Sequence, residues 1–185
     1  MFASPAFPKT YQAISLDKLF TAYRSGPERI RRSLNGLDET ELSSRPRGVH
    51  KWSMKEVAIH VCDSELVGSV RFRMVLAQQG AILPFYDQDL WTRNLGRQSA
   101  GNAELEDSLI LFECLRRTTA RLLDGLVEAD WNRTGTHAEF GSVTLRNLME
   151  LYADHSERHL AQILEMRTLL HRPRQIPLIL EERLY

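Results

Sequence analysis

The sequence predicts an all-α fold, a four-helix bundle with long crossover loops. Three observations point there. Nearly all of the periodicity in the chain is helical. It falls in four long amphipathic segments, enough to close a small bundle around one core. Helix start and stop signals bound those segments. With 185 residues, the chain suits a single domain spanning 1–185.

Residues 1–15 read as an extended leader holding Pro5 and Pro8. The first helical region covers about 16–36. Leu16, Leu19, Phe20 and Tyr23 mark its apolar side, and Ile30, Leu34 and Leu37 continue it after Ser25-Gly26-Pro27. Pro27 either kinks one helix or opens a second at its first position. A polar connection with Pro46 and Gly48 follows over 38–52. The second helix starts at a capping box, Ser53-Met54-Lys55-Glu56, and runs to about Gln79, where Gly80 ends it. The third spans about 103–125, with Leu105, Leu109, Phe112, Leu115, Thr119 and Leu122 at helical spacing. The fourth follows Thr144 and reaches about His171, and residues 172–185 form a tail with Pro173 and Pro177. The connections at about 80–102 and 126–143 are long for a compact domain. Loops of that length are usually functional or cross a bundle end.

Composition excludes several classes of function. Lys+Arg and Asp+Glu both number 24, so no nucleic-acid or anionic-membrane partner is expected. No apolar run is long enough to span a bilayer, and the first residues lack the pattern of a signal peptide. Cys62 and Cys114 are too few for a disulfide framework and fit free thiols in a reducing cytoplasm. No nucleophile elbow, phosphate loop or dinucleotide fingerprint is present.

The chemistry concentrates in three histidines. His155 and His159 lie four apart, which stacks two imidazoles on one helix face. Leu148, Tyr152, Met166 and Leu169 fall on or beside the same stripe, so that face looks inward. Taken alone, such a pair is more often a hydrogen-bonded core feature than a ligand set. His60, mid-helix near Val57 and Val61, changes the balance. Bundles build metal sites from side chains on facing helices, and three neutral imidazoles suit a divalent transition metal with one open position. Ring nitrogens of His60, His155 and His159 are therefore expected to converge about 2.0–2.2 Å from one ion.

The surrounding residues refine this reading. Residue 156 is serine, so the motif is not His-Glu-x-x-His, and Glu157 points to another face. No ready general base results. Asp63, one turn beyond His60, is either an outer partner of the metal site or a solvated helix residue, while Glu56 is committed to its capping box. Tyr86, Asp87 and Trp91, in the first long connection, are expected to wall a pocket on the open side of the metal, with a packed satellite cluster as the alternative. His50, His137 and His171 read as surface histidines. Arg71 and Arg73 read as exposed ion-pair formers before anion contacts, and Arg116, Arg117 and Arg121 as the solvated face of the third helix.

These segments together resemble a known family. Its carriers are Trp52-Ser53-x-x-Glu56-Val57-x-x-His60-Val61-x-Asp63-Ser64, Arg71-Phe72-Arg73, Pro84-Phe85-Tyr86-Asp87-x-x-x-Trp91, His137-Ala138-Glu139-Phe140-Gly141 and Tyr152-Ala153-x-His155-x-x-x-His159-x-x-Gln162-Ile163. They are similar to the DinB/YfiT-like superfamily of metal-dependent hydrolases and thiol S-transferases, over about residues 16–171. The resemblance implies that His60, His155 and His159 bind nickel, zinc or iron. It also implies a homodimer, a small-molecule substrate and a low-molecular-weight thiol cosubstrate such as bacillithiol or mycothiol. Two enzymatic readings follow, thiol S-transfer and hydrolysis of an amide or ester. The lack of a ready base favours the thiolate. A third reading is a non-catalytic, metal-stabilised bundle acting as an interaction module.

Overall fold

The computed structural model describes residues 14–45 and 51–180. In chain order its helices are α1 (Leu16–Leu34), α2 (Glu39–Ser43), α3 (Met54–Ala77), α4 (Gln88–Asn94), α5 (Asn102–Leu123), α6 (Glu128–Trp131) and α7 (Leu145–Leu169). The long ones, α1, α3, α5 and α7, form the expected four-helix bundle. Three of them start at side-chain caps. Ser15, Ser53 and Thr144 accept from the backbone N–H groups of Lys18, Glu56 and Asn147, which satisfies donors that a helix start leaves open. The second-helix capping box is closed, with Ser53 N donating to Glu56 Oε2 at 2.8 Å. α1 runs through Pro27 as one helix. Beside it, Gly26 lets α1 approach α7: a Cβ there would lie 3.0 Å from Ser156 Oγ.

α1 packs against α5 and α7, and α3 packs against the same two. α1 and α3 therefore lie across one diagonal, and α5 and α7 across the other. Two of the three connections between long helices cross the bundle. The third, 78–101, joins neighbours, so its length serves something other than the crossing.

Two apolar clusters fill the interior, one with Val57, Phe112, Leu160 and Met166, the other with Tyr23, Phe72, Leu145 and Tyr152. At their junction lies a polar hub. Arg116 is 1% exposed and donates to Glu65 Oε2 (2.6 Å), to the Tyr23 carbonyl (2.9 Å) and to the Tyr152 carbonyl (2.6 Å). Tyr23 Oη donates to Glu65 Oε1 at 2.5 Å, and the Arg116 guanidinium stacks 3.8 Å over the Tyr23 ring. One residue from each long helix meets here. The expectation of a solvated Arg116 is thus corrected. It follows Leu105, Leu109 and Phe112 along one stripe of α5 and is buried with them. Arg117 and Arg121 are exposed as expected, but so are Leu122 and Leu169, which the apolar pattern had placed inside.

The long connections carry structure that the all-helical reading passed over. Strands β1 (Ala81–Ile82), β2 (Thr134–His137) and β3 (Gly141–Thr144) form a small sheet in the order β1-β2-β3. β1 pairs parallel to β2 with Ala81 opposite Gly135, and β2 pairs antiparallel to β3 with His137 opposite Gly141. The sheet ties the two long connections together. Gly135 permits this, since a Cβ there would come within 2.9 Å of both Leu83 and Val75 side chains. Residues 171–180 pack back on the bundle: Ile176 and Leu180 are buried, and Ile179 N donates to Glu157 Oε2 at 2.7 Å. Most of the expected leader, His50 and residues 181–185 lie outside the described residues. Among the described residues, no helix is long and apolar enough to cross a membrane.

Candidate metal centre

α3 carries His60 two turns beyond its cap, and α7 carries His155 and His159 near its middle. Because α3 and α7 are neighbours, the three rings meet. The Nε2 atoms of His60 and His155 are 3.1 Å apart, and those of His155 and His159 are 3.1 Å apart. Candidate ligand atoms of all three lie within 4.8 Å of one another. Tetrahedral nitrogen ligands around one ion stand about 3.3 Å apart, so the spacing suits a shared divalent cation.

The protonation states suit it too. Burial pushes all three imidazoles down, with neighbouring rings adding to the effect for His60 and His155, and Arg158 contributing at each. His60 and His155 fall well below the usual histidine range and His159 to about 4. Neutral rings keep a lone pair for a metal. At His159 the outer nitrogen fixes which one. His159 Nδ1–H donates to Gln162 Oε1 at 2.8 Å, and His60 Nδ1 faces the Tyr86 hydroxyl at 3.0 Å. With the protons on Nδ1, the Nε2 lone pairs point at one another, an arrangement that a cation between them stabilises. Trp52 covers His60, ring centroids 4.6 Å apart.

The other anticipated residues divide. Tyr86 meets the cluster through His60. Asp87 accepts from Leu90 N at 2.9 Å, caps α4 and lines the adjoining cavity. Trp91 packs edge-on against Tyr86, centroids 5.0 Å apart, and lines a separate cavity with Leu90 and Leu95. Asp63 is neither solvated nor bonded to the histidines. It is buried and receives Arg97 Nε (3.0 Å) and Nη2 (2.7 Å). Asp154 pairs with Arg158 at 2.7 Å, and Glu157 pairs with Arg29 on the far face of α7.

A cavity of about 440 Å³ lies beside the cluster, with His155 in its wall. The 85–89 segment forms one side and the β2–β3 turn another. Two of its residues were misjudged from type alone. His137, expected at the surface, is 6% exposed. Arg71, expected in an exposed ion pair, is 5% exposed and donates to the Pro84 carbonyl and the Tyr152 hydroxyl. Among the described residues Arg73 forms no ion pair either, and it donates to Ser69 O and Thr119 Oγ1. Gln162 and Trp52 were not singled out as site residues. The position of Gln162 one turn beyond His159 is the one signal that marks it.

A family model described as the DinB superfamily matches residues 22–163. The chain belongs to the DinB superfamily. A Bacillus mycoides (strain KBAB4) relative, provisionally named a metal-dependent hydrolase, is 28% identical over 163 residues, 84% of this chain and 87% of its own. A Bacillus anthracis relative with the same kind of name is 28% identical over 152 residues, 78% of this chain and 81% of its own. Among solved structures, YfiT from Bacillus subtilis, described as a probable metal-dependent hydrolase with an unusual four-helix bundle topology, superposes with a TM-score of 0.78 at 24% identity. The match covers 86% of this chain and 91% of that one. The mycothiol-dependent maleylpyruvate isomerase matches at 0.64 and 14% identity, over 83% of this chain and 62% of that one. These two likenesses establish the fold that this DinB member shares.

Proposed function

We propose that this protein is a metal-dependent enzyme that activates a small nucleophile at His60, His155 and His159, with a low-molecular-weight thiol as the preferred nucleophile. One observation carries the reading: three neutral imidazoles aim Nε2 at a common point beside a cavity of about 440 Å³. A nickel, zinc or iron ion bound there would lower the pKa of a coordinated thiol or water enough to make it a nucleophile near neutral pH. The chain's own residues do the rest. Tyr86 and Gln162 hold the rings in register, and Trp52 covers His60.

The acids that flank the histidines in sequence are engaged, and of those in the cavity wall Asp87 caps α4 and Asp89 pairs with Lys51, which leaves Glu139. Asp63 is held by Arg97, Asp154 by Arg158, and Glu157 by Arg29 and Ile179 N. A water nucleophile needs a base to take its proton; a thiolate does not at the attack step. This supports thiol S-transfer over hydrolysis. The names of the Bacillus relatives support the second reading, hydrolysis of an amide or ester at the same centre.

The test starts with metal analysis of untagged protein purified without added metal. About one ion per chain is expected. Thiol transfer to an electrophile should rise with the thiolate fraction and vanish in His159→Ala while the helical circular dichroism persists. Turnover of an ester or amide with no thiol present selects the hydrolase. Metal-free protein with full activity would sink both readings.

A further inference from the structure

The cavity beside the histidines contains a buried cation with no counter-ion among the described residues. Arg71 uses three of its five N–H donors: Nε and Nη2 donate to the Pro84 carbonyl (3.2 and 2.7 Å) and Nη1 to the Tyr152 hydroxyl (3.0 Å). Both partners are neutral. The other deeply buried arginines are compensated. Arg29 faces Glu157, Arg116 faces Glu65, and Arg167 sits on the last carbonyls of α1, where the helix dipole is negative. Among the described residues, no carboxylate does this for Arg71. Buried charges are ordinarily paired, because water no longer solvates them.

The neighbours of Arg71 in the same cavity have donors left over among the described residues. His137 Nδ1 accepts from Glu139 N at 3.2 Å, so the neutral ring carries its proton on Nε2, which has no partner among the described residues. Burial and then the Arg71 charge push His137 down to about 4, which keeps the ring neutral and places the two groups side by side. The Tyr152 hydroxyl receives Arg71 and still has its own proton to give. Arg71, His137 and Tyr152 all line the cavity that reaches His155.

We infer that this end of the cavity is an anion subsite, formed by Arg71, His137 and Tyr152, that holds a carboxylate of the substrate. The inference rests on the reading of the histidine cluster as the reaction centre. Eleven residues of α3 separate Arg71 from His60, roughly 16 Å of helix rise, and the Arg71 side chain recovers part of that by leaning toward the helix N-terminus. The carboxylate is therefore a handle remote from the reacting atoms. A singly charged group suits the site better than a phosphate dianion, because Asp87, Asp89 and Glu139 line other parts of the wall.

The test uses cobalt-loaded protein titrated with hexanoate, followed by calorimetry and by the visible cobalt spectrum. Hexanoate is expected to bind without altering the spectrum. Arg71→Met should weaken it at least tenfold and His137→Phe several-fold, with cobalt retained in both. Inorganic phosphate should bind at least tenfold more weakly than hexanoate. Hexanoate that shifts the cobalt spectrum and binds Arg71→Met as well as the wild type would place the anion on the metal and overturn the subsite. No hexanoate binding at all, or tighter phosphate binding, would overturn it too. If Arg71→Met fails to fold, His137→Phe and the wild-type spectrum decide. Failure of the metal reading has its own signature, a cobalt spectrum that never develops or survives His155→Ala. The calorimetric comparison of Arg71→Met with wild type still scores the subsite in that case.

Discussion

Gly68→Ala should destabilise this protein, although the same change in most helices does the opposite. Gly68 lies mid-α3, where Ala is favoured over Gly by about 0.8–1.0 kcal/mol. Here a Cβ would sit 2.4 Å from Tyr152 Cε1 and 2.5 Å from Cζ, against an ordinary contact beginning at 3.4 Å. The ring or the helix must move by about 1 Å. The ring has little room: Tyr152 is 2% exposed, its hydroxyl is held by Arg71, its carbonyl by Arg116, and Phe72 packs on it at 5.7 Å between centroids. Overpacking of this kind costs about 1–3 kcal/mol, and a contact this short lies at the upper end. After the propensity gain, a net loss of about 2 kcal/mol remains, or a fall in Tm of about 4–8 °C for a chain of this size. Thermal unfolding followed by circular dichroism measures it. Combining the change with Tyr152→Leu should recover at least about 1 kcal/mol, since the clash partner is gone. A Tm that stays level or rises in Gly68→Ala would refute the close α3–α7 crossing on which the histidine geometry depends.

Other outcomes follow from the same interior. Arg116→Ala leaves Glu65 buried without its partner and should cost about 3–5 kcal/mol in denaturant unfolding, whereas Arg116→Met with Glu65→Leu should recover most of that. Burial pushes the Cys62 thiol up to about 12, so iodoacetamide near pH 8 should label Cys114 and leave Cys62 intact until the protein unfolds, as mass spectrometry of the alkylated protein would read. The depressed pKa of His159 gives the metal-free protein a defined acid sensitivity. The unfolded chain takes up its proton as pH falls through about 6.5 and the folded one only near 4, so stability is full above that window and declines across it. A flat unfolding midpoint between those values would contradict the buried, neutral ring.

Much of this architecture was legible because helices announce their starts in local chemistry. Ser53 with Glu56 and the position of Thr144 mark two N-termini to within a residue. The ends read long. Gly80 and Gly125 mark the stops, but each adopts its left-handed conformation, φ 75° and 76°, two or three residues after the last helical one. The histidine cluster was legible because a spacing of four on an apolar stripe survives any detail of packing. What stayed hidden was the burial of charge. Arg116 is inside because Glu65 pairs with it, Arg71 because neutral partners hold it, and His137 because its strand packs inward; residue type argues the other way. The sheet was missed because strands of two to four residues are too short to display alternation. The β-branched residues around Gly135 and Gly141 were the only trace of it.

The crossed helix order bears on when the metal arrives. His60 precedes His155 by 95 residues, and α7 is the helix on which α1 and α3 both rest. A chain emerging from the ribosome completes the His60 helix long before the other two donors exist. Until α7 is out, α1 and α3 have only α5 to pack against, and contacts this distant in sequence form late. An ion held by these three histidines would then be captured only once α7 has joined the other helices. Two helices made far apart in time would thus have to meet before the third donor completes a site, so the supply of metal would act on the folded chain.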